Sequence, residues 1–137
     1  MPDRSLPEGV LLLGPGDGRS YPCGSMQALF LADGEETNGR YSVSEWWLDP
    51  RSDGVHPHLH EENEELFFVL EGRVTFHLDG AEWEAGAGSF VRVPAGVMHG
   101  FRNPDEARAG LLNIFIPGGF EHQMPAIVEW YARKEDR

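Results

Sequence analysis

Three of the six histidines in this 137-residue chain occupy alternate positions in the segment HPHLHEENEELFFVLEG, residues 56–72. Because successive side chains of an extended chain point to opposite sides, His56, His58 and His60 can all face the same way. A run of glutamates follows them directly. Imidazole nitrogens and a carboxylate together form a partial shell for a divalent transition metal ion. Taken alone, the segment fits a metal site and a solvated polar loop about equally well.

A second segment, GSFVRVPAGVMHGFRN at residues 88–103, favours the metal site. The two segments resemble the paired motifs of the cupin superfamily, G-x5-H-x-H-x3,4-E-x6-G and G-x5-P-x-G-x2-H-x3-N. Nine of the ten fixed positions agree, and the departure is Ser52, which stands where the family has its first glycine. The matching residues are His58, His60, Glu65 and Gly72, then Gly88, Pro94, Gly96, His99 and Asn103. Only a register that begins at His58 fits, because beginning at His56 puts Val69 in place of the closing glycine.

The resemblance implies an all-β fold, a jelly-roll (double-stranded β-helix) barrel with a metal site inside it. Carried over position by position, the ligands are His58, His60, Glu65 and His99. Three imidazoles and one carboxylate suit one divalent ion of Fe, Mn, Ni, Co, Cu or Zn. Four protein ligands leave coordination positions of the ion open for a substrate. Glu65 is also predicted to move a proton of a substrate bound there. His56 is either a catalytic acid or base at the rim or a surface histidine.

Short runs with period-two character, separated by glycines and prolines, predict the strands that must position these residues. The strand candidates are residues 26–32, 40–48, 65–71, 73–78, 89–94 and 110–117. Asp79-Gly80 supplies a hairpin turn signal after the fourth of them. We expect one domain over residues 1–137, with a barrel core at about 40–117, N-terminal strands within 9–39 and a helical tail at 118–137.

Several apolar side chains and one amide are candidates for the substrate pocket, because they share strand parity with predicted site residues. They are Phe67, Val69, Phe101, Asn113 and Phe115. Plain core packing is the alternative for the apolar four, and a core amide with satisfied hydrogen bonds is the alternative for Asn113. One of the adjacent Trp46 and Trp47 must face inward, and the sequence does not say which. In the tail, an apolar helical stripe predicts a helix that covers the barrel; its members are Phe120, Met124, Ile127, Val128 and Tyr131.

Composition limits the partners and the compartment. The chain has 11 Lys and Arg against 23 Asp and Glu, a formal net charge of -12, which argues against nucleic acid and anionic membranes. Cys23 is the only cysteine, so no intramolecular disulfide can form. The N-terminal apolar run, residues 10–13, is too short for a signal or membrane segment, and a cytoplasmic location is predicted. We expect a small-molecule substrate and a homodimer formed through exposed strand edges.

A weaker resemblance concerns the reaction. The stretches YSVSEWWLDP, EELFFVLEG and LLNIFIPGGFE are similar to those of small bacterial cupins grouped with quercetin 2,3-dioxygenases. This resemblance implies insertion of dioxygen into a chelating enol or flavonol-like substrate. The alternatives are an isomerase or decarboxylase that uses the same site, or a non-catalytic sugar or effector-binding module.

Overall fold

A computed structural model describes residues 5–135 of the chain, with side chains up to Lys134. Residues 1–4 and 136–137 of the predicted single domain lie outside the described residues. The described part contains ten strands, two short 3-10 turns and one α-helix. The strands are β1 (Arg19–Cys23), β2 (Met26–Ala32), β3 (Ser42–Leu48), β4 (Val55–His58), β5 (Glu64–Glu71), β6 (Arg73–Leu78), β7 (Ala81–Gly86), β8 (Phe90–Val93), β9 (His99–Arg102) and β10 (Ala109–Ile116). The helix α1 is Met124–Glu135, and the 3-10 turns are Gly34–Glu36 and Phe120–Gln123.

The strands form two antiparallel sheets whose inner faces share one core. The six-stranded sheet has the order β1-β2-β3-β10-β5-β8, and the four-stranded sheet has the order β4-β9-β6-β7. Consecutive strands β3, β4 and β5 alternate between the sheets, and β8, β9 and β10 do the same. This alternation is the predicted jelly-roll arrangement. In the described residues the ladders remain two separate sheets and do not close into one ring.

The six strands predicted from the sequence agree with strands of the structure. β2 and β6 have the predicted bounds, and four further strands lie within two residues of theirs. The sequence reading gave no strand for β1, β4, β7 or β9. β4 is VHPH and β9 is HGFR, so neither contains an apolar run. They are strands because β4 pairs with β9, and β9 also pairs with β6. Each of these two strands carries one of the predicted ligands, His58 and His99.

The tryptophan pair left open by the sequence is settled by packing. Trp46 is buried in the core between the sheets, where its ring meets Phe101 edge-on. Trp47 faces outward and lies against Gly110, at which any Cβ would come within 2.2 Å of the indole. The Arg108 guanidinium covers the same indole at 4.5 Å from the ring centroid. Trp46 is therefore the tryptophan available to an interior pocket.

Helix α1 covers the open end of the two sheets, as the apolar stripe predicted. Met124 is fully buried, and the other four members of the stripe pack against the core. The hydroxyl of Tyr131 donates to the Gly54 carbonyl at 2.9 Å, which ties the helix to the turn before β4. Within the described residues, no helix is long and apolar enough to cross a membrane.

Candidate metal centre and pocket

Strand pairing within the four-stranded sheet brings two of the four predicted ligands together. His58 at the end of β4 and His99 at the start of β9 are direct partners in the ladder. The approach of these strands depends on Gly54, with φ 64°, where a Cβ would lie 1.9 Å from the Phe101 carbonyl oxygen. Thus Gly54, two residues after Ser52, supplies the turn before the histidines.

The donor atoms of the cluster all lie within 4.8 Å of one another. The rings of His58 and His99 have centroids 4.5 Å apart. Glu65 projects from β5 of the facing sheet, and its Oε2 contacts Nε2 of His99 and lies 3.7 Å from Nε2 of His60. His99 and Glu65 are buried, and the other two histidines are partly buried. One carboxylate oxygen and three imidazoles therefore converge on a shared point.

Backbone carbonyls orient two of the imidazoles. Nδ1 of His58 lies 2.8 Å from the His56 carbonyl, and Nδ1 of His99 lies 2.8 Å from the Val97 carbonyl. A carbonyl only accepts, so each Nδ1 carries a proton, and in the neutral form of each ring Nε2 is the nitrogen left to bind a cation. A metal-ligating histidine usually donates such a hydrogen bond from the ring nitrogen that does not bind the metal.

The third imidazole shows that the donor set fits a cation. Nε2 of His60 is a buried atom with no hydrogen-bond partner. Its ring is held by packing, edge-on against Phe115 with centroids 5.0 Å apart and against Phe120 at 6.2 Å. An unpaired buried nitrogen is costly, and a metal ion at the shared point would satisfy it. The four residues therefore fit the divalent transition metal that the sequence predicts.

The protonation of the cluster follows from burial and from Glu65. Burial lowers the pKa of His58 and of His60 below the usual histidine value. Burial also opposes the charge of His99, but the hydrogen bond to Glu65 and the bond to the Val97 carbonyl outweigh it and raise the pKa of His99. Neutral imidazoles are the form that binds a metal, so His58 and His60 are held in the ligating state.

Asn113 on β10 holds the far side of the carboxylate. Its Nδ2 donates to Oε1 of Glu65 at 3.1 Å and lies 3.4 Å from the Leu66 carbonyl. Both side chains are buried, at 6% exposure each. With Oε1 bound to the amide, Oε2 is the oxygen that faces the three imidazoles. Asn113 is thus a polar group beside the cluster. The sequence analysis predicted it as a polar residue of the pocket.

Above the cluster lies a pocket of about 490 Å³ with largely apolar walls. Its floor consists of cluster residues, its sides come from both sheets, and its roof is helix α1. The lining residues are Trp46, Val55, His56, His58, His60, Glu65, Phe67, Phe101, Asn113, Phe120, Gln123, Ala126, Ile127, Trp130 and Tyr131. A small organic molecule of modest polarity would fit between the metal ligands and the helix.

Not all of the predicted pocket residues lie in this wall. Phe67, Phe101 and Asn113 do, whereas Phe115 packs behind the His60 ring. Val69 is fully buried in the core and does not line the pocket. It lies four residues beyond Glu65, about 13 Å further along the strand, so shared parity places it on the same face but too far away.

His56 lies at the mouth of the pocket and is exposed. Its Nε2 is 3.1 Å from Nζ of Lys134, and its ring meets Trp130 edge-on at 6.3 Å. His77 lies on β6, partly buried, and its Nε2 accepts from the Gly80 amide at 3.3 Å. His56 is therefore the histidine outside the cluster that reaches the pocket, and His77 is turned to the β6–β7 hairpin.

The contribution of α1 to the pocket was missed from the sequence. Ala126, Ile127, Trp130 and Tyr131 of α1 form the roof together with Gln123 of the preceding 3-10 turn. The apolar stripe predicted that the helix would be buried, and a search for residues that directly precede stripe members would have found Ala126 and Trp130. The stripe alone gives no indication that the surface beneath the helix is a pocket.

Comparison with known proteins agrees with the fold and the cluster. Residues 45–115, just over half of the chain, match the family model described as "Cupin domain". Quercetin 2,3-dioxygenase of Bacillus subtilis (strain 168) is 32% identical over 120 residues, which make up 85% of this chain and 34% of that protein. This chain thus spans about a third of the length of that relative.

Two solved structures share the architecture at low identity. An RmlC-like cupin from Shewanella frigidimarina NCIMB 400 has a TM-score of 0.69 at 21% identity, with 82% of this chain and 94% of that chain covered. KdgF from Halomonas sp. has a TM-score of 0.71 at 18% identity, with 83% and 98% covered. The two-sheet fold, the paired motifs and the family match lead to one conclusion: this chain belongs to the cupin domain family.

Proposed function

We propose that this protein is a metal-dependent enzyme acting on a small organic molecule, and that its reaction is a dioxygenation like that of quercetin 2,3-dioxygenase. The observation that carries the proposal is the cluster of three imidazoles and Glu65, with an unpaired buried His60 Nε2, at the floor of an apolar pocket. The similarity to the Bacillus subtilis enzyme supports the choice of reaction. A chelating enol or flavonol-like molecule is the proposed substrate class.

His58, His60, Glu65 and His99 would hold the metal. The ion supplies Lewis acidity toward a bound hydroxyl and, if it is redox-active, the electron transfer that dioxygen chemistry needs. The pocket walls contribute by excluding water and by holding a planar apolar substrate between Trp46 and the residues of α1.

Glu65 is the proposed proton acceptor. The imidazoles are poor acceptors, because Nδ1 of His58 and of His99 already carries a proton bound to a carbonyl. Oε1 of Glu65 lies away from the imidazoles and accepts from Asn113. A carboxylate oxygen has two lone pairs, so Oε1 can keep that bond and still accept the hydroxyl proton of a substrate.

The test is metal analysis of protein purified without chelators, followed by oxygen-electrode measurements with each metal reloaded singly. Flavonols and enediols are the substrate panel. We expect oxygen uptake in proportion to substrate loss with at least one metal and one substrate. The absence of uptake with every metal and substrate, in protein shown to hold metal, would contradict the dioxygenase proposal. Conversion without oxygen uptake would instead favour the isomerase or decarboxylase alternative.

A pair of adjacent glutamates provides a matched control for the proton acceptor. Glu65→Gln keeps the size and one coordinating oxygen, and we expect part of the metal to remain while turnover falls by about 100-fold or more. Glu64 faces the other side of β5, where it binds Arg92 at 2.9 Å. Glu64→Gln should therefore leave turnover unchanged. Equal turnover in the wild type and Glu65→Gln would leave Glu65 as a ligand only, with His56 as the next candidate base.

A further inference from the structure

A second cavity lies beside the mouth of the pocket. Its volume is about 360 Å³, and it is lined by His56, Trp130, Arg133 and Lys134. His56 and Trp130 also line the larger pocket above the cluster, so the two cavities adjoin at the mouth. We call the smaller one the mouth cavity. Three of its four residues have basic side chains, whereas the walls of the larger pocket are largely apolar.

Lys134 differs from the other cations of this protein. It is the only lysine of a chain whose formal net charge is -12. Seven arginines of the described part bind carboxylates, and Arg133 is one of them, paired with Glu129 one helical turn earlier. Lys134 forms no ion pair with a described side chain, and its partner is an imidazole. The mouth cavity therefore contains a positive charge that no described carboxylate neutralises.

Two aromatic rings hold the ammonium group at the mouth. Nζ of Lys134 lies 3.1 Å from Nε2 of His56 and 5.2 Å from the ring centroid of Trp130. An ammonium group only donates, so Nε2 of His56 accepts and Nδ1 carries the ring proton. Of the three ammonium protons, two remain after the bond to His56. These protons are the donors that a ligand in the mouth cavity would meet.

A molecule bound at the cluster can reach the mouth cavity. His56 and His58 are two residues apart on β4, which is about 7 Å of extended chain. The His58 ring belongs to the cluster, and the His56 ring lines both cavities. One small molecule can therefore contact the floor and the mouth at once. Its two ends would meet different groups, the metal ligands at the floor and an ammonium group at the mouth, with apolar walls between them.

We propose that the substrate carries a carboxylate at the end opposite its chelating hydroxyl, and that Lys134 binds this carboxylate and so determines specificity. This substrate class rests on the proposed function, because it concerns the molecule that the same site would take. One ammonium group matches one negative charge, and Arg133 is already paired with Glu129. A phosphate ester carries about -1.5 to -2 charges near neutral pH, which one cation would not balance in an acidic chain. The structure thus favours a hydroxylated aromatic or enolic carboxylate.

Isothermal titration calorimetry of the zinc-loaded full chain tests the proposal without turnover, since zinc has no redox chemistry. One probe is a hydroxynaphthoate whose hydroxyl and carboxylate stand at opposite ends of the ring system, and the other is the naphthol without the carboxylate. We expect the wild type to bind the hydroxynaphthoate about three- to ten-fold more tightly. Salt should reduce this preference, because the ion pair lies at an exposed mouth. Tighter binding of the corresponding hydroxynaphthyl phosphate would overturn the choice of a carboxylate.

Variants of the lysine separate a local contact from an effect of net charge. Lys134→Met removes the charge and keeps an apolar stem, so it should abolish the preference for the hydroxynaphthoate. Lys134→Arg keeps the charge and should retain the preference. Arg40→Met is the matched control, because Arg40 also forms no ion pair with a described side chain and lines neither cavity. It should behave like the wild type, and metal content shows that the cluster of each variant is intact.

The only lysine also gives a direct signal. Reductive methylation with isotope-labelled formaldehyde keeps the charge and yields one lysine methyl resonance, which should shift when the hydroxynaphthoate binds. An unmoved resonance at saturation would overturn the proposal. So would an equal preference in the wild type and Lys134→Met, or its loss in Arg40→Met. Oxygen uptake is measured separately: uptake without any effect of Lys134 would leave the dioxygenase proposal standing alone, and a preference that depends on Lys134 without uptake would support the carboxylate contact alone.

Discussion

The floor and the roof of the pocket are built in different ways. The floor is local: His58 and His99 are partners in a ladder, and each is oriented by a carbonyl two residues earlier in the chain. The roof is distant: α1 follows all ten strands, and residues far away in sequence hold it. Asp33 accepts from the backbone amides of Gly119 and Glu121, and Gly54 accepts from Tyr131.

Because of this difference, we expect metal binding and the stability of the helical cover to depend on different residues. Carbonyl contacts two residues away come with the strand itself, so the donor set is preorganised wherever β4 and β9 pair. Long-range contacts of the roof can be weakened one at a time without moving the ligands. Changes in the floor should therefore alter metal affinity, and changes in the roof should alter the free energy of unfolding.

The largest effect is expected in the floor, from His99→Ala. This change removes one of the four donor atoms and the contact between His99 and Oε2 of Glu65. Metal affinity should therefore fall by more than about 100-fold. His77→Ala is the control, because His77 lies on the β6–β7 hairpin, and it should bind metal like the wild type. Competition with a chromophoric chelator measures both affinities. Loss of metal in the His77 variant would contradict this assignment of the ligands.

Asn113→Ala should sharpen the distinction, because it changes the floor without removing a donor. Glu65 would lose the hydrogen bond to Oε1, and metal affinity should fall by about 10-fold, as for other partners of metal ligands. Asn63→Ala is a suitable control, since its amide donates to the Pro117 carbonyl at 2.9 Å and not to a ligand. The same chelator competition applies. An unchanged affinity in Asn113→Ala would mean that packing alone orients the carboxylate.

In the roof, Asp33→Asn should lower stability without altering metal affinity. Although burial opposes its charge, hydrogen bonds from the amides of Glu121, Gly119 and Gly34 lower the pKa of Asp33. Charged donors and acceptors of this kind contribute about 1–3 kcal/mol, and we expect a loss of that size near neutral pH. Denaturant unfolding at neutral pH measures it.

The sign of the pH dependence follows from the lowered pKa. The unfolded carboxyl titrates near about 3.9, so the contribution of Asp33 is complete above that pH and is lost as the pH falls through the lower folded value. The stability difference between the wild type and Asp33→Asn should therefore shrink in acid. A difference that stays constant from pH 7 to strongly acidic solution would show that the charge is not the cause.

The smallest effect should come from Tyr131→Phe. The hydroxyl is lost, and the Gly54 carbonyl loses its donor, which costs about 1 kcal/mol for a neutral hydrogen bond. Burial raises the pKa of Tyr131 to about 12, so the group stays protonated and the difference should not vary between pH 6 and 9. Tyr41→Phe, at an exposed site, should leave the unfolding free energy unchanged. A large effect on metal affinity would contradict the separation of roof and floor.

Prediction from the sequence succeeded where one local pattern determines the structure. β6 alternates apolar and polar residues, β2 is a short apolar run, and both were found at the right bounds. The spacing of His58, His60, Glu65 and His99 identified the cluster, because the family motif encodes it. The sequence reading failed for β4 and β9, whose few residues have no apolar alternation and become strands only through pairing. It also extended the pocket wall to Val69, since parity gives the face of a strand but not the distance along it.

By itself, the sequence determined the types, order and register of the predicted ligands, because they stand at fixed positions of the family motif that it resembles. It also determined that the tail is an amphipathic helix. Only the tertiary structure decided that Trp46 faces inward, that Asn113 binds Glu65 and that α1 roofs the pocket. Each of these depends on contacts between residues dozens of positions apart, such as Asn113 and Glu65 or Tyr131 and Gly54. No local pattern carries the distance between such residues, so it is fixed only when the sheets pack together.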